Sequence, residues 1–101
     1  MRVFVFYDLP SVSSEDLKVY RSFRRTLEHN GFQMLQESVY TKIALDGRIA
    51  REIIAKLRHE RPGKGLVQIL IVTERQFAGM ECLVGEYHSD TVNTNERFIV
   101  L

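Results

Sequence analysis

The chain has 101 residues, 45% of them hydrophobic and 27% charged, with a formal net charge of +1. That length suits one domain with a single core. No apolar stretch reaches the roughly 18–20 residues of a membrane span, so no membrane contact is expected. The lone Cys82 cannot form an internal disulfide, and the first residues lack the charged, apolar and small-residue order of a signal peptide. A cytoplasmic protein is the resulting expectation.

Val3-Phe4-Val5-Phe6-Tyr7 is β-branched and aromatic, which predicts a strand buried on both faces. It stops at Asp8, and Pro10 fixes the chain as it leaves, pushing Leu9 toward extended backbone. A carboxylate where a central strand opens to solvent is a position for a metal ligand or an acid–base group. Equally, Asp8 closes the strand by hydrogen-bonding the turn.

Ser13 and Asp16 then form a capping box, with Asp replacing the usual Glu. Leu17, Tyr20, Phe23 and Leu27 recur on one face, and Asn30-Gly31 supplies the left-handed stop, predicting a helix from about Ser14 to Asn30. Lys18, Arg21 and Arg25 fall on one outer stripe of that helix.

Two short strands follow, over 32–36 and 38–43, with a bend or bulge near Glu37-Ser38. Asp46 caps a second helix whose apolar face is Ile49, Ile53, Ile54 and Leu57, and Pro62-Gly63 stops it. Arg51, Lys56, Arg58 and Arg61 are left toward solvent. Leu66 to Val72 is apolar almost throughout and reads as a central strand. The order strand, helix, strand, strand, helix, strand predicts an α+β, ferredoxin-like βαββαβ fold, with both helices on one face of an antiparallel sheet.

This core is expected over residues 1–73, with 74–101 as a C-terminal extension. Within it Met80 to Gly85 reads as a short strand, which would make Cys82 an inert small hydrophobe. Phe98 to Leu101 reads as a strand added to a sheet edge, its own or that of a second copy. A swapped terminal strand would give a homodimer.

Charge is unevenly spread. Between residues 18 and 61 ten basic groups, most of them arginine, face five acidic ones, whereas residues 74–101 are net acidic. A basic middle of this kind suggests a polyanion, because the planar guanidinium fork suits phosphate. The histidines His29, His59 and His88 lack metal-ligand spacing, and no nucleophile–base pattern is visible. Asp8 is the one candidate reactive group. A single carboxylate is a poor Mg²⁺ site, but two Asp8 side chains across a two-fold axis, with a phosphate completing the shell, would serve.

Five segments together resemble a known family: Val5 to Pro10, Tyr20 to Arg24 with Asn30 to Phe32, Gln36 to Tyr40, Thr73 to Met80, and Asn95 to Arg97. In order over the whole chain they resemble CRISPR-associated protein two, the small ferredoxin-like subunit of the spacer-acquisition machinery, as found in type II-A loci. The resemblance implies a homodimer bridging two dimers of the integrase, CRISPR-associated protein one, in a heterohexamer that holds a double-stranded DNA prespacer. It also implies a metal-dependent endonuclease activity on RNA or DNA, assigned to Asp8 with Mg²⁺. Where some relatives carry further arginines, this chain has Tyr20, Ser22 and Met34. The residues expected to meet the duplex are Lys18, Arg21, Arg24 and Arg25 of the first helix and Arg51 and Arg58 of the second.

Overall fold

The computed structural model describes residues 1–85. The predicted terminal strand at 98–101, the 95–97 segment and His88 lie outside those residues. Within them the order is β1 (Arg2–Asp8), α1 (Ser14–His29), β2 (Gln33–Gln36), β3 (Val39–Ile43), α2 (Gly47–His59), β4 (Leu66–Val72) and α3 (Glu74–Ala78). The four strands form one antiparallel sheet in the order β2-β3-β1-β4. The fold is ferredoxin-like α+β, as the sequence predicts.

β1 is paired on both edges, by β3 and β4, and carries apolar side chains on both faces. Val3, Val5 and Tyr7 point to the helices, where they pack with Phe23 and Leu27 of α1 and Leu57 of α2. Arg2, Phe4, Phe6 and Asp8 alternate onto the opposite face. There Phe4 packs against Phe77 of α3, with Leu35, Val39 and Val72 around it.

The helix ends follow their sequence signals. Ser13 Oγ accepts from the Asp16 amide at 3.0 Å, while Asp16 Oδ2 accepts from the Ser13 amide at 3.2 Å. At the far end of α1 the Phe32 amide donates to the Leu27 carbonyl and the Gly31 amide to the Glu28 carbonyl, with Gly31 at φ +88°. Both bonds of a Schellman stop are therefore made, and buried Leu27 and Phe32 supply its apolar contact. Asp46 Oδ1 accepts from the Ile49 amide at 2.9 Å, capping α2.

Two expectations are corrected. β4 lies at the sheet edge among the described strands, paired with β1 alone. Its apolar run is half core and half surface: Val67, Ile69 and Ile71 face the helices, while Leu66 and Leu70 are 55% and 54% exposed. Met80 to Gly85 forms no strand; the segment is exposed, Leu83 and Val84 included, and so Cys82 is an exposed free thiol rather than a buried hydrophobe. The expected bend near Glu37-Ser38 is present as a turn in which Ser38 takes φ +65°, next to a register shift between Met34 and Gln36.

The short helix α3 has no counterpart among the predicted elements. Thr73 and Gln76 cap its start reciprocally. Buried Arg2 fastens it to the sheet, donating to Glu74 through Nε at 3.0 Å and Nη2 at 2.8 Å and lying 4.0 Å over the Phe77 ring. A forked guanidinium pair beneath an aromatic ring satisfies a cation that could not otherwise lie in a sheet.

Candidate metal and nucleic-acid site

Asp8 is the last residue of β1 and is exposed. Its register partner is Leu66 of β4; the ladder to β3 ends one turn of the pleat earlier, at Phe6 with Val39, followed by a bond from the Tyr7 amide to the Ser38 carbonyl. The carboxylate thus projects from the sheet end, on the face that α1 and α2 leave uncovered.

The backbone at Asp8 is held from two sides. Gly65, at φ +94°, presses against it: a Cβ there would lie 2.6 Å from Leu9 Cδ2 and 3.0 Å from the Asp8 carbonyl oxygen. On the other side, the Asp16 carboxylate gathers the loop between β1 and α1. Its Oδ2 accepts from the Val12 and Ser13 amides, and Lys64 Nζ lies 3.0 Å from its Oδ1. The Lys64 ammonium, with the Ser13 amide, holds the Asp16 carboxyl below the usual carboxylate range. Sequence reasoning misses Lys64, Gly65 and Asp16 as site residues and takes Asp16 only as part of the helix cap. Their meeting joins segments far apart in the chain, and no local pattern announces it.

Among the described residues no three His, Cys, Asp or Glu side chains cluster as a metal-binding group. Asp8 is the exposed carboxylate on β1 itself. Asp8 by itself is too small a donor set for Mg²⁺, which takes octahedral oxygen ligands.

The expected nucleic-acid residues divide into two kinds. Lys18, Arg21 and Arg25 on α1 and Arg51 and Arg58 on α2 are exposed and make no ion pair among the described residues. Lys18 shares a cleft of about 340 Å³ with Arg61, between α1 and the α2–β4 connection. Arg58 and Arg61 edge the neighbouring groove over Phe23 and Ile54. Lys18 of α1 and Arg58 of α2 thus line adjoining clefts that share Phe23 and Arg61, and neither cleft includes Arg21, Arg25 or Arg51. Arg24 differs. Its Nε donates to Glu28 Oε2 at 3.3 Å, and Glu28 also accepts from the Tyr40 hydroxyl at 3.4 Å. Tyr40 in turn belongs to a ring cluster in which Tyr7 contacts Tyr20, Phe23 and Tyr40. Burial, reinforced by Tyr40 and Tyr20, pushes the Tyr7 phenol well above its ordinary value.

A four-stranded antiparallel sheet under two helices, cationic on the helix side and carrying one carboxylate at a strand end, defines a small ferredoxin-like protein. Residues 1–80 match the family described as CRISPR associated protein Cas2. The chain is 43% identical over 101 residues to the CRISPR-associated endoribonuclease Cas2 of Treponema denticola, covering all of both chains. It is 40% identical over 101 residues to the protein of that name from Streptococcus mutans, covering all of this chain and 93% of that one. With the counterpart from Acidovorax ebreus it shares 45% identity over 85 residues, 84% of this chain and 83% of that one. The chain belongs to the Cas2 family of CRISPR-associated proteins.

Proposed function

We propose that the protein works as a homodimer within the cytoplasmic CRISPR adaptation complex, bridging two dimers of the integrase and holding prespacer duplex DNA during spacer acquisition. The observation that carries this reading is the division of the surface. The sheet face away from α1 and α2 leaves Phe6, Ile43, Leu66 and Leu70 at least 37% exposed, while unpaired cations gather over the helices. Contiguous exposed apolar surface marks an interaction site. A second copy is the occupant that fits, because pairing by this face leaves both cationic helix layers outward and brings the strand ends bearing Asp8 to the same interface.

Arginines and lysines on a helix exterior meet phosphates without reading bases, so binding should be indifferent to sequence and steeply salt-dependent. The test is a salt titration of duplex binding with Arg21→Glu combined with Arg25→Glu. Loss of affinity with the dimer intact supports the assignment; unchanged affinity and salt slope remove it. Reversal at Arg24 serves as a contrast, since that side chain is engaged with Glu28.

A second reading is favoured by the exposed position of Asp8 and by the relatives, whose names call them endoribonucleases. On this reading Asp8 and its symmetry mate hold Mg²⁺ for endonucleolytic cleavage of RNA or double-stranded DNA. When bound, the ion would supply Lewis acidity at a phosphodiester. The chain's own part is to keep one carboxylate at a fixed strand end, facing the interface. Asp8→Ala should abolish metal-dependent cleavage and leave duplex binding within about twofold; cleavage that persists in this variant sinks the second reading.

A further inference from the structure

We infer that Lys64, through its ion pair with Asp16, is a positioning residue for Asp8; the inference rests on the second reading above. Asp8 has a strand neighbour on one side only, because β3 no longer pairs with β1 at that point. Its lateral placement therefore depends on the start of β4, where Leu66 is its register partner. The residue before Leu66 is Gly65, already against the Asp8 carbonyl and Leu9, and the residue before that is Lys64. Anchoring Lys64 anchors the entry to β4.

The anchor joins an exposed ammonium, Lys64 at 62%, to a sheltered carboxylate. The Asp16 side chain is 9% exposed, and its Oδ1 has no hydrogen-bond donor of its own apart from the approach of Lys64 at 3.0 Å. Removing the ammonium leaves a largely buried carboxylate without a counter-charge. Asp16 would then turn toward water and loosen the Val12 and Ser13 amides that it holds. One carboxylate thus ties the loop after Asp8, the start of α1 and the entry to β4 into a strap around the strand end. Gly65 is the close approach that passes the strap's position to the Asp8 backbone, and it has no room for a side chain.

The experiment uses the full-length protein as wild type, Lys64→Met, Lys64→Arg and Asp8→Ala. Two readouts are taken at neutral pH: the carboxyl ¹³C resonance of Asp8 in metal-free protein, and Mn²⁺ affinity by calorimetry. Lys64→Met is expected to move the Asp8 resonance and weaken Mn²⁺ about tenfold, the scale at which loss of a supporting partner acts on a metal ligand. Lys64→Arg, which keeps the ion pair, should restore both. An Asp8 resonance identical in wild type and Lys64→Met overturns the inference. Should Asp8→Ala bind Mn²⁺ as tightly as wild type, the metal reading fails, and the resonance still decides the positioning role. If the methionine variant does not fold, Lys64→Gln takes its place: a moved Asp8 resonance supports the role of Lys64, and an unmoved one overturns it.

Discussion

On the helix side of the sheet, Val3, Val5 and Leu27 are fully buried beneath α1 and α2. Across the same strands, Leu66, Leu70 and Ile43 stand more than half exposed, and the cover over Phe4 among the described residues is the five-residue α3. Among the described residues one face is closed by α1 and α2, and the other carries exposed apolar side chains. Stability should therefore reside on the first face and association on the second, and substitutions on the two faces should separate the two properties.

The largest effect expected is on the closed face. Leu27→Ala removes a fully buried side chain that also closes the α1 stop against Phe32, and should cost about 3–5 kcal/mol. Chemical denaturation should show the midpoint falling steeply. On the open face, Leu70→Ser should change that midpoint little while weakening self-association. A large loss of folding stability in Leu70→Ser would erase the distinction between the faces.

Gly65→Ala probes the junction between the faces. Its φ of +94° and the close approach to Leu9 leave the added methyl no space, so about 1–3 kcal/mol should be lost. The loss should appear as faster hydrogen exchange at residues 8–13 ahead of the rest of β1. Uniform exchange along β1 would show that Gly65 does not act locally on the strand end.

The smallest effect concerns acid. Asp16 is held below the usual carboxylate range by Lys64 and the Ser13 amide, and Glu74 by the Arg2 guanidinium. Each binds its proton less readily folded than unfolded, so each contributes stability that is complete above the ordinary carboxylate pKa near ~4. That contribution declines as the pH falls from there through the depressed folded values. Both carboxylates should therefore make the melting temperature fall with acidification below about pH 4–5. Glu74→Gln should flatten part of that fall, reading out the anchor of α3, and Asp16→Asn another part, reading out the strap. An acid profile unchanged in both variants would mean that neither pair differs between the folded and unfolded chain.

Local signals in the sequence carry most of the architecture. Ser13 with Asp16, Asn30-Gly31 and Asp46 each act within one helical turn, and all three stand in the structure as caps or stops. Apolarity is a poorer guide wherever it serves a surface not present in the chain's own core. Leu66 to Val72 reads as doubly buried, yet half of it lines the open face at the sheet edge. Met80 to Gly85 reads as a strand but is exposed and pairs with no described strand. α3 escapes because five residues offer no periodicity and its hold on the sheet comes from Arg2, at the opposite end of the core. Asp8 is legible as a strand-end carboxylate. Its support by Gly65 and the Asp16–Lys64 pair is not, since only the folded chain brings those segments together. For the same reason the sequence does not show that Arg24, though half exposed, donates to Glu28, which also accepts from Tyr40.

The central claim is that the open sheet face belongs to a second copy of the chain, and sedimentation equilibrium across low to high micromolar concentration tests it most directly. The wild type should sediment as a two-fold assembly, and Leu66→Glu combined with Leu70→Glu as a folded single chain. A wild type that sediments as one folded chain throughout that range, or a double variant that still pairs, would contradict the claim.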